Sequence, residues 1–147
     1  MRSILGLMAT IFLCDQLAGA PVDGDPSFLG TWVASVDTPN PPVLRITRST
    51  IDLGFSGCLG MRYQLVEQFP STDSNDYYGI EVIGDPDKCR TPDAGHMVIA
   101  LRVSRSTPPS LNTYYCPTLE ELQLLMHDGN YHCMGEFHWL LQTKVGE

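Results

Sequence analysis

Basic residues are scarce in this chain. Nine lysines and arginines face seventeen acids over 147 residues, a formal charge of −8. Nucleic acid and anionic membrane surfaces are recognised through clustered positive charge, so neither is expected as a main partner. Long apolar runs are nearly absent too, which excludes a multi-span membrane protein. Charged residues of both signs make up only 18% of the chain against 43% hydrophobic ones, a balance that rules out a wholly disordered acidic polymer. Catalytic signatures are also missing. There is no G-x-S-x-G elbow to present a serine nucleophile and no H-E-x-x-H zinc helix. No N-x-S/T sequon is present, so ordinary N-glycosylation is not expected. The length suits one domain.

The single apolar run lies at the start. Arg2 supplies a positive charge, Ile4 to Cys14 is apolar, and Ala18-Gly19-Ala20 offers small residues for cleavage. An apolar stretch of eleven residues falls short of the roughly 20 needed to span a bilayer as a helix. The segment reads as a secretory signal over residues 1–20, with no membrane span after its removal. Pro21 hinders a cut after Ala20, so a cut after Gly24 is the alternative, and residues 25–147 form the expected mature domain. Cys14 goes with the signal. Cys58, Cys89, Cys116 and Cys133 remain, an even number that fits two disulfides in a secreted chain. Sequential pairing, Cys58 with Cys89 and Cys116 with Cys133, is preferred over the other two pairings. No two cysteines have the close spacing of a zinc site.

The mature chain reads as mostly β. Phe28 to Val36 is a β-rich run ended by Asn40-Pro41-Pro42. Leu44 with Ile46, Ile51 to Phe55 and Met61 to Leu65 alternate apolar and polar side chains, the pattern of half-buried strands, and Met97, Ile99, Leu101 and Val103 alternate with Val98, Ala100, Arg102 and Ser104. Tyr77 to Ile83, Leu111 to Cys116 and Tyr131 to Thr143 complete the set, and the start of the Met97 strand reads as buried on both faces. The period changes once. Thr118 with Glu121 matches a capping box, and Leu119, Leu122, Leu125 and Met126 share one helical face before Asp128-Gly129-Asn130. The expectation is a small antiparallel barrel or sandwich of about eight strands, with one helix in the C-terminal region and disulfide staples.

Phe28-Leu29-Gly30-Thr31-Trp32 resembles the opening strand of the calycin superfamily, the lipocalins and fatty-acid-binding proteins. The helix before the last strand resembles the lipocalin order. In that superfamily the tryptophan crosses the closed end of an eight-stranded barrel, and the glycine lets its strand approach a neighbour. The chain departs from the pattern twice. Asn75-Asp76-Tyr77 comes too early for the second family motif, and Lys144 stands where a late arginine is expected.

The resemblance implies a secreted, non-enzymatic binding protein holding a small hydrophobic ligand inside the barrel, without a cofactor. Alternation places Phe55, Met61, Tyr63, Met97, Ile99 and Leu101 on the interior, and Trp32 joins them through the motif. Two other readings fit export and acidity. One is a structural protein with an extracellular protein or matrix partner. The other is an inhibitor or effector acting through the Gly84–Gly95 loop with its Cys89 staple. No metal site is expected. His127, His132, His138 and Glu136 could share a face, and Asp73, Asn75, Asp85, Asp87 and Asp93 are acid-rich loop positions, but surface histidines and solvated charge account for them.

Overall fold

Alternation along the sequence becomes alternation between two faces of one closed sheet. The computed structural model describes residues 24–54, 57–83, 96–128 and 133–144. Strands β1 (Gly30–Ala34), β2 (Val43–Ile46), β3 (Thr50–Leu53), β4 (Cys58–Phe69), β5 (Asn75–Ile83), β6 (His96–Ser104), β7 (Ser110–Cys116) and β8 (Met134–Lys144) follow in order, with α1 (Leu119–Asp128) between the last two. Each strand pairs antiparallel with the next. β8 then returns to β1, placing Gly30 opposite Lys144 and Ala34 opposite Trp139. The alternatives of barrel and sandwich resolve to a closed eight-stranded barrel, a solution that leaves no sheet edge open.

The interior is filled with large side chains. Trp32, Leu44, Ile46, Ile51, Leu53, Met61, Ile80, Ile99, Leu101, Leu111 and Trp139 are all less than 2% exposed. Both indole N–H groups are satisfied in this apolar setting. Trp32 donates to the Phe28 carbonyl at 2.9 Å, and Trp139 donates to the Thr113 hydroxyl at 3.0 Å. Gly30 shows why its strand needs no side chain there. A Cβ would meet the Thr143 carbonyl at 2.8 Å and a Leu141 methyl at 2.9 Å.

One end of the barrel is closed by the leader before β1. Phe28 packs edge-on against Tyr78 at 4.8 Å and Tyr63 at 6.2 Å. The Ser27 hydroxyl donates to Asp76 at 2.8 Å, and Asp76 also accepts from Arg105 of the β6–β7 turn. Tyr63 donates to the Thr47 carbonyl at 2.6 Å, tying in the β2–β3 turn. Phe28 and Leu29 are therefore buried without belonging to the strand, which begins at Gly30.

Other boundaries also differ from expectation. β4 runs on to Phe69, because a bulge between Leu65 and Glu67 breaks the alternation that marks a strand. β3 ends at Leu53, and Phe55 lies outside the described residues. β8 begins at Met134, with residues 131–132 also outside them.

α1 lies against the outer wall of the barrel. The Thr118 hydroxyl accepts the Glu121 backbone N–H at 3.2 Å, the expected cap. Leu122 is fully buried, whereas Leu119 is 41% exposed, so the docking stripe starts at the second of the four expected apolar positions. Gly79 of β5 lets Leu122 lie close on the wall, since a Cβ there would meet both Leu122 methyls at 3.1 Å. Leu122 joins Phe69, Val98, Ala100, Cys116 and Cys133 in a second core outside the barrel. This explains why Val98, Ile99 and Ala100 in succession are buried: one face is covered by the interior and the other by α1.

The Cys116–Cys133 disulfide spans 17 positions and brackets the helix. Cys58 is disulfide-bonded too, while its expected partner Cys89 lies outside the described residues.

Candidate functional site

The second core does not fill the space under α1. From Leu122 onward the helix leaves a groove of about 490 Å³ against the outer wall. Phe69 of β4, Tyr77 of β5, Ala100 of β6 and Tyr114 of β7 supply the wall, and Leu125 and Met126 supply the helix side. These wall residues are neighbours because the strands are. Phe69 is opposite Tyr77, and Ala100 is opposite Tyr114. Ala100 is the smallest side chain in this group, so the groove opens where a larger residue would close it. The His127 ring meets Phe69 edge-on at 5.8 Å at the end of the helix.

A polar network borders the groove on the β8 side. Glu136 accepts from Tyr114 at 2.8 Å, from Asn112, and from Arg102 at 3.1 Å. The Tyr114 and Asn112 hydrogen bonds, followed by the charge of Arg102, hold the Glu136 carboxyl below its ordinary range. Tyr114 moves the other way. Burial first, then its bond to Glu136, pushes its phenol up to about 12. The Arg102 guanidinium lies 6.0 Å from the centre of the Tyr114 ring, within cation–π range. The groove thus offers aromatic faces and a flexible thioether, with its nearest cation already paired.

The residues assigned to the interior divide into two groups. Trp32, Met61, Ile99 and Leu101 are packed into the barrel core. Tyr63 and Met97 are partly buried against it. Burial pushes the Tyr63 phenol up to about 12. Tyr115 is raised to about 12 by the same cause, deep beside Thr113 and Phe137. Of the aromatic strand residues, Tyr77 and Tyr114 face the helix, and sequence reasoning missed the groove they line. The signals were Gly79 in mid-strand and the doubly apolar Val98–Ala100 segment, both marks of a covered outer face.

Among the described residues no three His, Cys, Asp or Glu side chains form a group able to hold a metal ion. His138 bonds to Asn112 at 3.1 Å, Glu136 is engaged as above, and His132 lies outside the described residues. Asp85, Asp87, Asp93 and the rest of the Gly84–Gly95 loop lie outside them too, as do residues 1–20.

No family model, curated protein or solved structure matches this chain.

Proposed function

We propose that this is a secreted, non-catalytic binding protein for a small apolar ligand, and that the ligand lies between α1 and the outer barrel wall. The groove carries this reading. Its volume of about 490 Å³ falls within the roughly 300–1,000 Å³ usual for ligand sites, and its lining is chiefly aromatic and aliphatic with a few polar groups. The packing of Trp32, Met61, Ile99 and Leu101 in the barrel core favours this site over the barrel centre. Met126 suits a binding wall because its thioether adapts to ligand shape. The Cys116–Cys133 bridge supports export, since such bonds persist in oxidising compartments.

The test uses the intact oxidised protein and uncharged N-phenyl-1-naphthylamine as an apolar probe, followed residue by residue by amide NMR. The expected result is perturbation at Ala100, Tyr114 and Leu125, abolished by Ala100→Leu with the barrel spectrum otherwise kept. Perturbation confined to Met61, Ile99 and Leu101 would move the ligand to the barrel centre and overturn the groove assignment. No probe response at any of these positions would overturn the binding reading.

A further inference from the structure

A second hollow, of about 510 Å³, lies at the closed end of the barrel. Its walls are the leader from Asp25 to Leu29, the β6–β7 turn and the end of β8. The floor is apolar. Leu29, Trp32 and Val103 are at most 5% exposed, and Leu141 is half-buried beside them. Among the described residues, its charged groups are Asp25, Arg105 and Lys144.

These three charges are not equivalent. Asp25 is neutralised by Arg48, which donates to both carboxylate oxygens at 2.9 and 2.7 Å. Arg105 directs its Nε, at 3.3 Å, and a terminal nitrogen at the largely buried Asp76. That leaves Lys144. Among the described residues no carboxylate forms an ion pair with it. In a chain of net charge −8, Lys144 is thus the cation at this apolar hollow that no carboxylate among the described residues pairs with. The groove under α1 differs, because its Arg102 is bonded to Glu136.

We propose that this closed-end hollow is a second ligand site, selective for a small amphipathic anion. The ligand would carry one oxyanion group on a compact apolar body. The anion meets the Lys144 ammonium, a strongly hydrated point charge that tolerates varied head-group geometry. The body covers Leu29, Val103 and Leu141 above the Trp32 indole. An unpaired polar head would resist leaving water, so an uncharged or cationic analogue gains less here. Because Lys144 is exposed, the attraction weakens with added salt.

The experiment titrates the full oxidised chain with 2-naphthoate, and separately with 2-naphthylmethylamine, which keeps the ring and reverses the charge. Binding is read from the Trp32 indole N–H and the amides of Val103, Leu141 and Lys144. Naphthoate should shift these signals, with affinity reduced about five- to tenfold in Lys144→Glu and largely kept in Lys144→Arg. The amine should bind more weakly than naphthoate in the wild type, and that order should reverse in Lys144→Glu. Lys144 is exposed at a strand end, so an unchanged amide spectrum checks that each variant is folded. Equal binding of the two probes, or indifference to Lys144→Glu, would overturn the proposal. Shifts confined to Ala100, Tyr114 and Leu125 would overturn it as well, while leaving the groove under α1 standing.

Discussion

Replacing Gly79 by alanine should destabilise the protein, and the same replacement should stabilise it once Leu122 has been shortened. In an ordinary strand interior, alanine is better than glycine by roughly 0.5–1 kcal/mol, because glycine loses more backbone entropy on folding. Here the new Cβ would lie 3.1 Å from both Leu122 methyls and 3.4 Å from Val66 Cγ2. Leu122 is fully buried, so moving it disturbs the packing around it. Overpacking of this kind costs about 1–3 kcal/mol, so Gly79→Ala should lose about 1 kcal/mol net. Leu122→Ala removes the obstructing methyls and leaves a cavity, at about 3 kcal/mol. In that background the alanine at position 79 keeps only its 3.4 Å approach to Val66 Cγ2, an ordinary contact, and partly fills the cavity, so the intrinsic gain of roughly 0.5–1 kcal/mol returns. The cycle therefore predicts a coupling of about 1.5–2 kcal/mol, larger than the roughly 0.5 kcal/mol scatter of independent sites. Urea unfolding of the wild type, both single variants and the double variant measures it, provided that the m-values agree. If the two single effects add within that scatter, α1 does not press on β5 through this pair, and the groove built on that contact is misplaced.

Three further predictions test other parts of the molecule. Trp32→Phe strands the buried Phe28 carbonyl that now accepts the indole N–H at 2.9 Å; chemical denaturation should show a loss of about 2–3 kcal/mol, from the orphaned acceptor and the missing ring volume. Asp76 is held below the ordinary carboxylate range chiefly by its bond to Arg105. A depressed folded pKa adds stability above the unfolded value, lost as pH falls through the folded one. Asp76→Asn should therefore lower stability at pH 7 and flatten its decline below about pH 4, as read from thermal melts across pH. Converting Cys116 and Cys133 together to serine opens a loop of 17 positions worth about 3 kcal/mol, and hydrogen exchange should rise first in α1 while β4–β6 amides stay protected.

Much of the barrel was legible because its strands are covered differently on their two sides. Ile51 and Leu53 alternate with Thr50 and Asp52, and the burial follows that alternation. The helix announced itself through Thr118 and Glu121, a local device needing no tertiary context. β4 beyond Leu65 was illegible because the bulge resets the phase, and Glu67 follows where alternation calls for the opposite face. Leu119 failed for a different reason. Helical periodicity defines an apolar stripe, but the length of that stripe used in docking depends on where the partner surface ends. The groove itself could not be read from any one segment. Phe69, Tyr77, Ala100 and Tyr114 come from four strands, and each looks like an ordinary strand residue until register sets them side by side.

The bracketing of α1 by Cys116 and Cys133 has a consequence for how this protein could change. Their Cα atoms are 4.1 Å apart, so the segment between them leaves and rejoins the sheet at nearly one point. β7 and β8 pair with each other on the barrel side of that point, from Ser110 opposite Leu140 to Tyr115 opposite Met134. The helical segment is thus a cassette on a fixed mount. A different sequence of different length could be clipped between the same two cysteines, and it would meet the same wall of Phe69, Tyr77 and Tyr114. Selection, or a library built at those positions, could then retarget one half of the groove without renegotiating the register of the sheet.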